Sequence, residues 1–179
     1  MSLPDLTGKL SAYVAEFNAA DTELYAQSVP NAAAFEYLKN NAPLLDCPDP
    51  VLERAYYFRW WTLRKHWKKT PFGYILTEFL PQVGWSGPQN SIVCALGHHL
   101  REARWLRDDE GRLWDYVRFW LNGHGDAFAY SAWFASAVEA CLELRPSELT
   151  DLFLVDHRQD TAVRTEQEHQ YDDGDGCGP

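Results

Sequence analysis

Apolar and polar positions along this chain recur with a helical period. Leu6, Leu10, Tyr13, Val14 and Phe17 fall at steps of three and four, the spacing that gathers side chains on one helix face, so a helix is predicted within Asp5 to Tyr25. Pro30 interrupts it, Asn31 is placed to cap a short helix over 32–38, and Asn40, Asn41 and Pro43 end that helix. Asp49 and Pro50 suit the N-cap and first helical position of a longer helix over 51–68. Its stripe is Leu52, Tyr56, Arg59 or Trp60, Leu63 and Trp67, widened by Phe58 and Trp61. A helix apolar on more than one face is covered by neighbours on both sides. Thr70-Pro71 stops it.

Residues 72–80 are short and β-rich and predict an extended segment. A Gly/Pro loop follows over 81–90. Ser91 is placed to cap a helix over 92–106, 108–111 reads as a turn, and 113–121 reads as an aromatic helix closed by Asn122-Gly123. A last helix is predicted over 128–144. The expected fold class is all-α, helical hairpins with one short extended segment near 72–80. One domain is drawn over 1–144. The periodicity fades over 145–179, which is polar, acidic and Gly-rich at its end and reads as an irregular tail.

Composition narrows the function classes. The chain has 179 residues, enough for one cored domain. Hydrophobic residues make up 46% and aromatic ones 15%, with Trp 8, Tyr 9 and Phe 9, so many rings must line a core or a pocket. A formal net charge of -10 is the wrong sign for nucleic acid or an anionic membrane surface. Cys47, Cys94, Cys141 and Cys177 are widely spaced, which fits free thiols. No basic-then-apolar leader opens the chain, and no apolar run nears the ~20 residues of a membrane span. The expectation is a cytoplasmic protein with no cofactor and an oligomeric state that the sequence leaves open.

The densest chemistry lies between Glu78 and Trp105, in Glu78, Trp85, Asn90, His98, His99, Glu102, Arg104 and Trp105. Three readings fit it. His98 or His99 with Glu102 has helical spacing suited to a metal, although no third ligand is evident and the expected metal is none. The histidines and charges can equally be ordinary core and surface groups. The third reading is a sugar pocket, in which aromatic rings meet C–H faces and directional polar groups meet hydroxyls. There Trp85, Asn90, His98, His99, Arg104 and Trp105 bind carbohydrate. Glu78 and Glu102, the cluster's two carboxylates, are the candidates for proton transfer in glycosidic cleavage, which needs an acid and a base flanking the bond.

The blocks Tyr57-Phe58-Arg59-Trp60-Trp61-Thr62-Leu63-Arg64-Lys65-His66, Thr77-Glu78-Phe79-Leu80-Pro81, Trp85-Ser86-Gly87, Asn90-Ser91-Ile92, Cys94-Ala95-Leu96-Gly97-His98-His99 and Glu102-Ala103-Arg104-Trp105-Leu106 carry a resemblance. Asp115-Tyr116-Val117-Arg118-Phe119-Trp120-Leu121 and Tyr130-Ser131-Ala132-Trp133 extend it over residues 18 to 144. The chain resembles six-hairpin glycoside hydrolases, (α/α)6 toroids related to mannosylglycerate hydrolase-like, trehalase and family 63 enzymes. The resemblance implies part of such a toroid. It also implies that Trp85, Asn90, His98, His99 and Arg104 line the subsite holding the cleaved sugar, with Glu78 approaching it. The family's general acid and base are expected later in the chain. This sequence supplies about half the helices of a full ring, judged from typical helix and loop lengths. From Arg145 onward it departs from the pattern, so the expectation is a truncated, catalytically incomplete hydrolase or a binding module.

Overall fold

The computed structural model describes residues 5–107 and 110–145, which belong to one compact unit bounded at Arg145. Along the chain run α1 (Leu6–Ala19), a 3-10 turn (Asn31–Ala33), α2 (Ala34–Asn41), α3 (Pro50–Lys65), β1 (Trp67–Thr70), β2 (Gly73–Leu76), α4 (Val93–Ala103), α5 (Arg112–Leu121) and α6 (Phe134–Leu142). α1 packs on α2 and α3, α4 packs on α6, and α5 covers β2. The tail expected over 145–179 lies, but for its first residue, outside the described residues.

Several helices start where the sequence says they should. Asp5 caps α1, its carboxylate accepting from the Gly8 amide at 2.8 Å. Asp49 caps α3, accepting from Val51 and Leu52, with Pro50 in the first turn. Asn122 and Gly123 close α5; Gly123 sits at φ 75, a left-handed position that costs glycine little.

Other expectations are corrected. The fold is helix-rich but not all-α, because an antiparallel hairpin follows α3 directly. Trp67 pairs with Leu76 and Thr70 with Gly73. The long helix therefore ends at Lys65 rather than 68, and the extended segment is the strand Gly73–Leu76 rather than the whole of 72–80. Tertiary burial explains this. Ile75 and Leu76 lie wholly buried in the region covered by α5, and Trp67, also buried, donates its indole N–H to Tyr37 Oη at 2.8 Å. Ser91 does not cap α4, since its hydroxyl donates to the Leu76 carbonyl. Asn31 is no cap either: its side chain joins Arg64 and Asp21. α6 begins at Phe134, not 128, because Trp133 is held to α4 by a bond from its indole to the Val93 carbonyl at 3.0 Å. The six α-helices of the described residues fall short of a closed ring of six hairpins.

The buried stripe of α3 is shifted by one residue from the predicted one. Leu52 is exposed, and the buried residues are Glu53, Tyr57, Trp60, Trp61, Arg64 and Lys65. The phase shift holds because the polar members are satisfied. Glu53 accepts from Lys9 at 2.8 Å, Tyr13 at 3.0 Å and the Cys47 amide at 3.0 Å. The amide of Cys47, then Lys9, hold its carboxyl below the usual range.

α4 and α6 meet through Gly97. A Cβ added there would stand 2.7 Å from the Trp133 ring. Gly97→Val is therefore expected to cost about 1–3 kcal/mol through overpacking. Urea unfolding followed by far-UV circular dichroism reads this as a lower midpoint; an unchanged midpoint would refute the close contact.

Candidate functional site

The lower half of α3 and its C-cap present Arg59, Thr62, Leu63 and His66 at steps of three, one and three, which places them on one face. Across from it, α4 presents His99 and Glu102, three residues apart. The segment leaving β2 brings in Glu78, whose amide donates to the Asn90 carbonyl at 3.3 Å. These seven residues line one open cavity of about 220 Å³. It unites three residues singled out in the sequence, Glu78, His99 and Glu102, with Arg59 and His66, which were not. The predicted stripe of α3 runs through Arg59 or Trp60, whereas Arg59 and His66 lie on the side opposite the observed buried stripe.

The carboxylates have different roles. Glu102 accepts a two-point contact from Arg59, Nε to Oε1 at 2.9 Å and Nη2 to Oε2. Glu78 has no cation beside it. Its Oε2 is buried without a hydrogen-bond partner, and burial pushes its carboxyl above the usual range. Desolvation disfavours the charged form, so of the two carboxyls this is the one that burial biases towards holding a proton.

Both histidines are held neutral. Burial lowers His66 below the ordinary imidazole range, and its Nδ1 lies 2.8 Å from the Thr77 carbonyl. A carbonyl only accepts, so Nδ1 carries the hydrogen and Nε2 keeps its lone pair. Burial depresses His99 to about 3, and its Nδ1 lies 3.1 Å from Tyr116 Oη.

The remaining sequence-chosen residues lie outside this cavity. Trp85 is 65% exposed, with its ring edge-on to Phe79 at 5.0 Å, and lines a separate open groove of about 310 Å³ with Tyr130, His124 and Asp126. Asn90 is buried and committed to the loop. Its amide donates to the Phe79 and Pro81 carbonyls at 2.5 and 3.0 Å, and its oxygen accepts from Ser86 and Val83. At φ 60, Asn90 is one of the residue types that tolerate the left-handed region. His98 is exposed, edge-on to Trp133 at 4.7 Å. Arg104 donates to the Ala140 carbonyl at 2.8 Å and lies over the exposed ring of Trp105 at 5.2 Å, which ties α4 to α6.

Among the described residues, no group of three or more His, Cys, Asp and Glu side chains is placed to hold a metal ion. No helix among them is long and apolar enough to cross a membrane.

The fold is glycosidase-like by comparison. No protein-family profile matches the chain, and no curated protein sequence matches it. Among solved structures the chain is similar to a protein named sialidase, a glycoside hydrolase, at 40% identity and a TM-score of 0.71. The likeness covers 79% of this chain and 14% of the sialidase, so this chain spans about a seventh of that protein's length.

Proposed function

We propose that residues 5–145 form the sugar-gripping part of a glycoside-hydrolase-type helical domain of the six-hairpin class, and that its cavity holds a neutral sugar without cleaving it. The observation that carries this reading is the state of the two carboxyls. Glycosidic cleavage by the usual route needs an acid and a base at one bond. Here burial raises the Glu78 carboxyl and leaves one of its oxygens unpartnered, whereas Glu102 is tied up by Arg59. One free carboxyl and two imidazole lone pairs make a set of hydrogen-bond donors and acceptors suited to hydroxyls. Trp85 offers an exposed ring in the separate groove, and Asn90 shapes the loop that presents it. His98, Arg104 and Trp105 stand outside the grip.

The similarity to a sialidase and the sequence blocks support the carbohydrate class. The charge of the cavity argues for a neutral sugar. Among the described residues lining it the one Lys or Arg is Arg59, already paired with Glu102, so a sugar carboxylate would find no unpaired cation among them, an arrangement that disfavours an anion.

Tryptophan fluorescence titration with neutral aryl pyranosides and an aryl sialoside tests this. Saturable binding of a neutral glycoside, no binding of the sialoside and no release of aryl alcohol are expected. Release of aryl alcohol would refute the binding-only reading, and silence from every neutral sugar would refute the sugar site.

A further inference from the structure

Ser91, Tyr116 and His99 form a hydrogen-bonded chain running from the backbone of β2 to the cavity. Ser91 Oγ lies 2.8 Å from the Leu76 carbonyl and 3.2 Å from Tyr116 Oη, and Tyr116 Oη lies 3.1 Å from His99 Nδ1. Tyr116 is wholly buried, and burial keeps its phenol protonated. The three groups have one hydrogen each to place. A carbonyl can only accept, so the Ser91 hydrogen goes to Leu76. Ser91 Oγ then has only lone pairs to offer, and the phenol hydrogen goes to it. The phenol has no second hydrogen, so the remaining contact requires His99 to donate through Nδ1–H.

We propose that Ser91 and Tyr116 are positioning residues that fix His99 as its Nδ1–H tautomer, so that Nε2 offers a lone pair to a hydroxyl of the neutral sugar in the Glu78 cavity. The hydroxyl part of this inference rests on the sugar-site reading; the tautomer part does not. The direction of the chain is set at its far end. The Leu76 carbonyl belongs to β2, whose buried side chains fix it relative to α5, and every hydrogen downstream follows from it. His66 reaches the same tautomer independently, through the Thr77 carbonyl. The cavity therefore presents two imidazole acceptors beside the Glu78 carboxyl.

The variants separate this from simple packing. Ser91→Ala removes the acceptor for the phenol hydrogen, which then turns to His99 Nδ1 and forces the imidazole to Nε2–H. Tyr116→Phe removes the acceptor for Nδ1–H and leaves a tautomer mixture. The experiment is long-range proton–nitrogen NMR on the full chain labelled with ¹⁵N-histidine, with the His99 signals assigned by their loss in His99→Gln. The expected result is an Nδ1–H, bare-Nε2 pattern in the wild type and its reversal in Ser91→Ala. A wild type with Nε2–H, or a Ser91→Ala variant with an unchanged pattern, overturns the proposal. Ser91→Thr keeps the hydroxyl and is expected to restore the wild-type pattern, which a loss of packing would not do.

Titration of the same variants with a neutral aryl pyranoside reads the second half. A weakening of about 2–10-fold is expected for Ser91→Ala, the size of one neutral hydrogen bond. If the tautomer reverses and affinity does not change, the sugar hydroxyl does not use Nε2 and that half is overturned. If the wild type binds no sugar, the sugar-site reading fails, while the relay is still decided by the NMR pattern.

Discussion

Arg64→Ala is expected to destabilise the domain by about 3–5 kcal/mol, the range in which removing one member of a buried polar network combines with a cavity. Arg64 is 0% exposed in the last turn of α3. Its Nη1 donates to Gln27 Oε1 at 2.9 Å and to the Val29 carbonyl at 2.5 Å, and its Nη2 donates to Asn31 Oδ1. The guanidinium also lies over the Trp61 ring at 4.9 Å. Burial lowers its pKa to about 10, against the opposing pull of Glu23 and Asp21. It therefore remains charged at neutral pH and organises the irregular segment between α1 and α2. Truncation would leave three acceptors without a donor and the Trp61 face without its cover. Arg64→Lys is expected to recover only part of the loss, because an ammonium cannot span acceptors on three residues with a planar fork. Urea unfolding of the three proteins measures the series; equal midpoints for Arg64→Ala and wild type would show that the segment at 27–31 holds itself.

That network also marks where the sequence was legible and where it was not. Periodicity located all six described helices, because apolar spacing and cap residues such as Asp49-Pro50 act within a few positions. It misjudged the face of α3, since a burial pattern read from hydrophobicity cannot foresee that Glu53 and Arg64 go inside with their partners. Apart from the nearby Cys47 amide, those partners, Lys9 and Tyr13 for Glu53, and Gln27, Val29 and Asn31 for Arg64, are distant in sequence. The hairpin was hidden for a related reason. Trp67 continues the helical phase of α3, and only its burial with Ile75 and Leu76 selects a strand. At the site, residue type pointed to Glu78, Glu102 and His99, which do converge. Polar type alone could not separate a ligand-facing amide from Asn90, whose hydrogen bonds all serve its own loop.

Glu78→Gln is expected to raise stability at neutral pH, the opposite of what a structural carboxylate would do. The sign follows from burial. Desolvation raises the folded-state pKa of Glu78 above its unfolded value. The folded state then holds its proton more tightly than the unfolded state over the window between those two values. Stability is full below the ordinary carboxylate range and falls as pH rises through the raised value. Glutamine cannot ionise and removes that loss, so variant and wild type should coincide at low pH and diverge in favour of the variant as pH rises. A difference in unfolding temperature that does not change with pH would refute the assignment of Glu78 as a buried acid. Function should move the other way. Glutamine keeps a donor at this position and is expected to bind a neutral sugar within a few-fold of wild type, whereas Glu78→Leu leaves a buried sugar hydroxyl unpaired and should weaken binding by 10-fold or more, about 1.4 kcal/mol. A group that lowers stability in its charged form and is needed for its ligand is what a functional, partly desolvated carboxyl looks like. For Glu102, paired with Arg59, Glu102→Gln is expected to change stability by under about 1 kcal/mol, the range of exposed ion pairs.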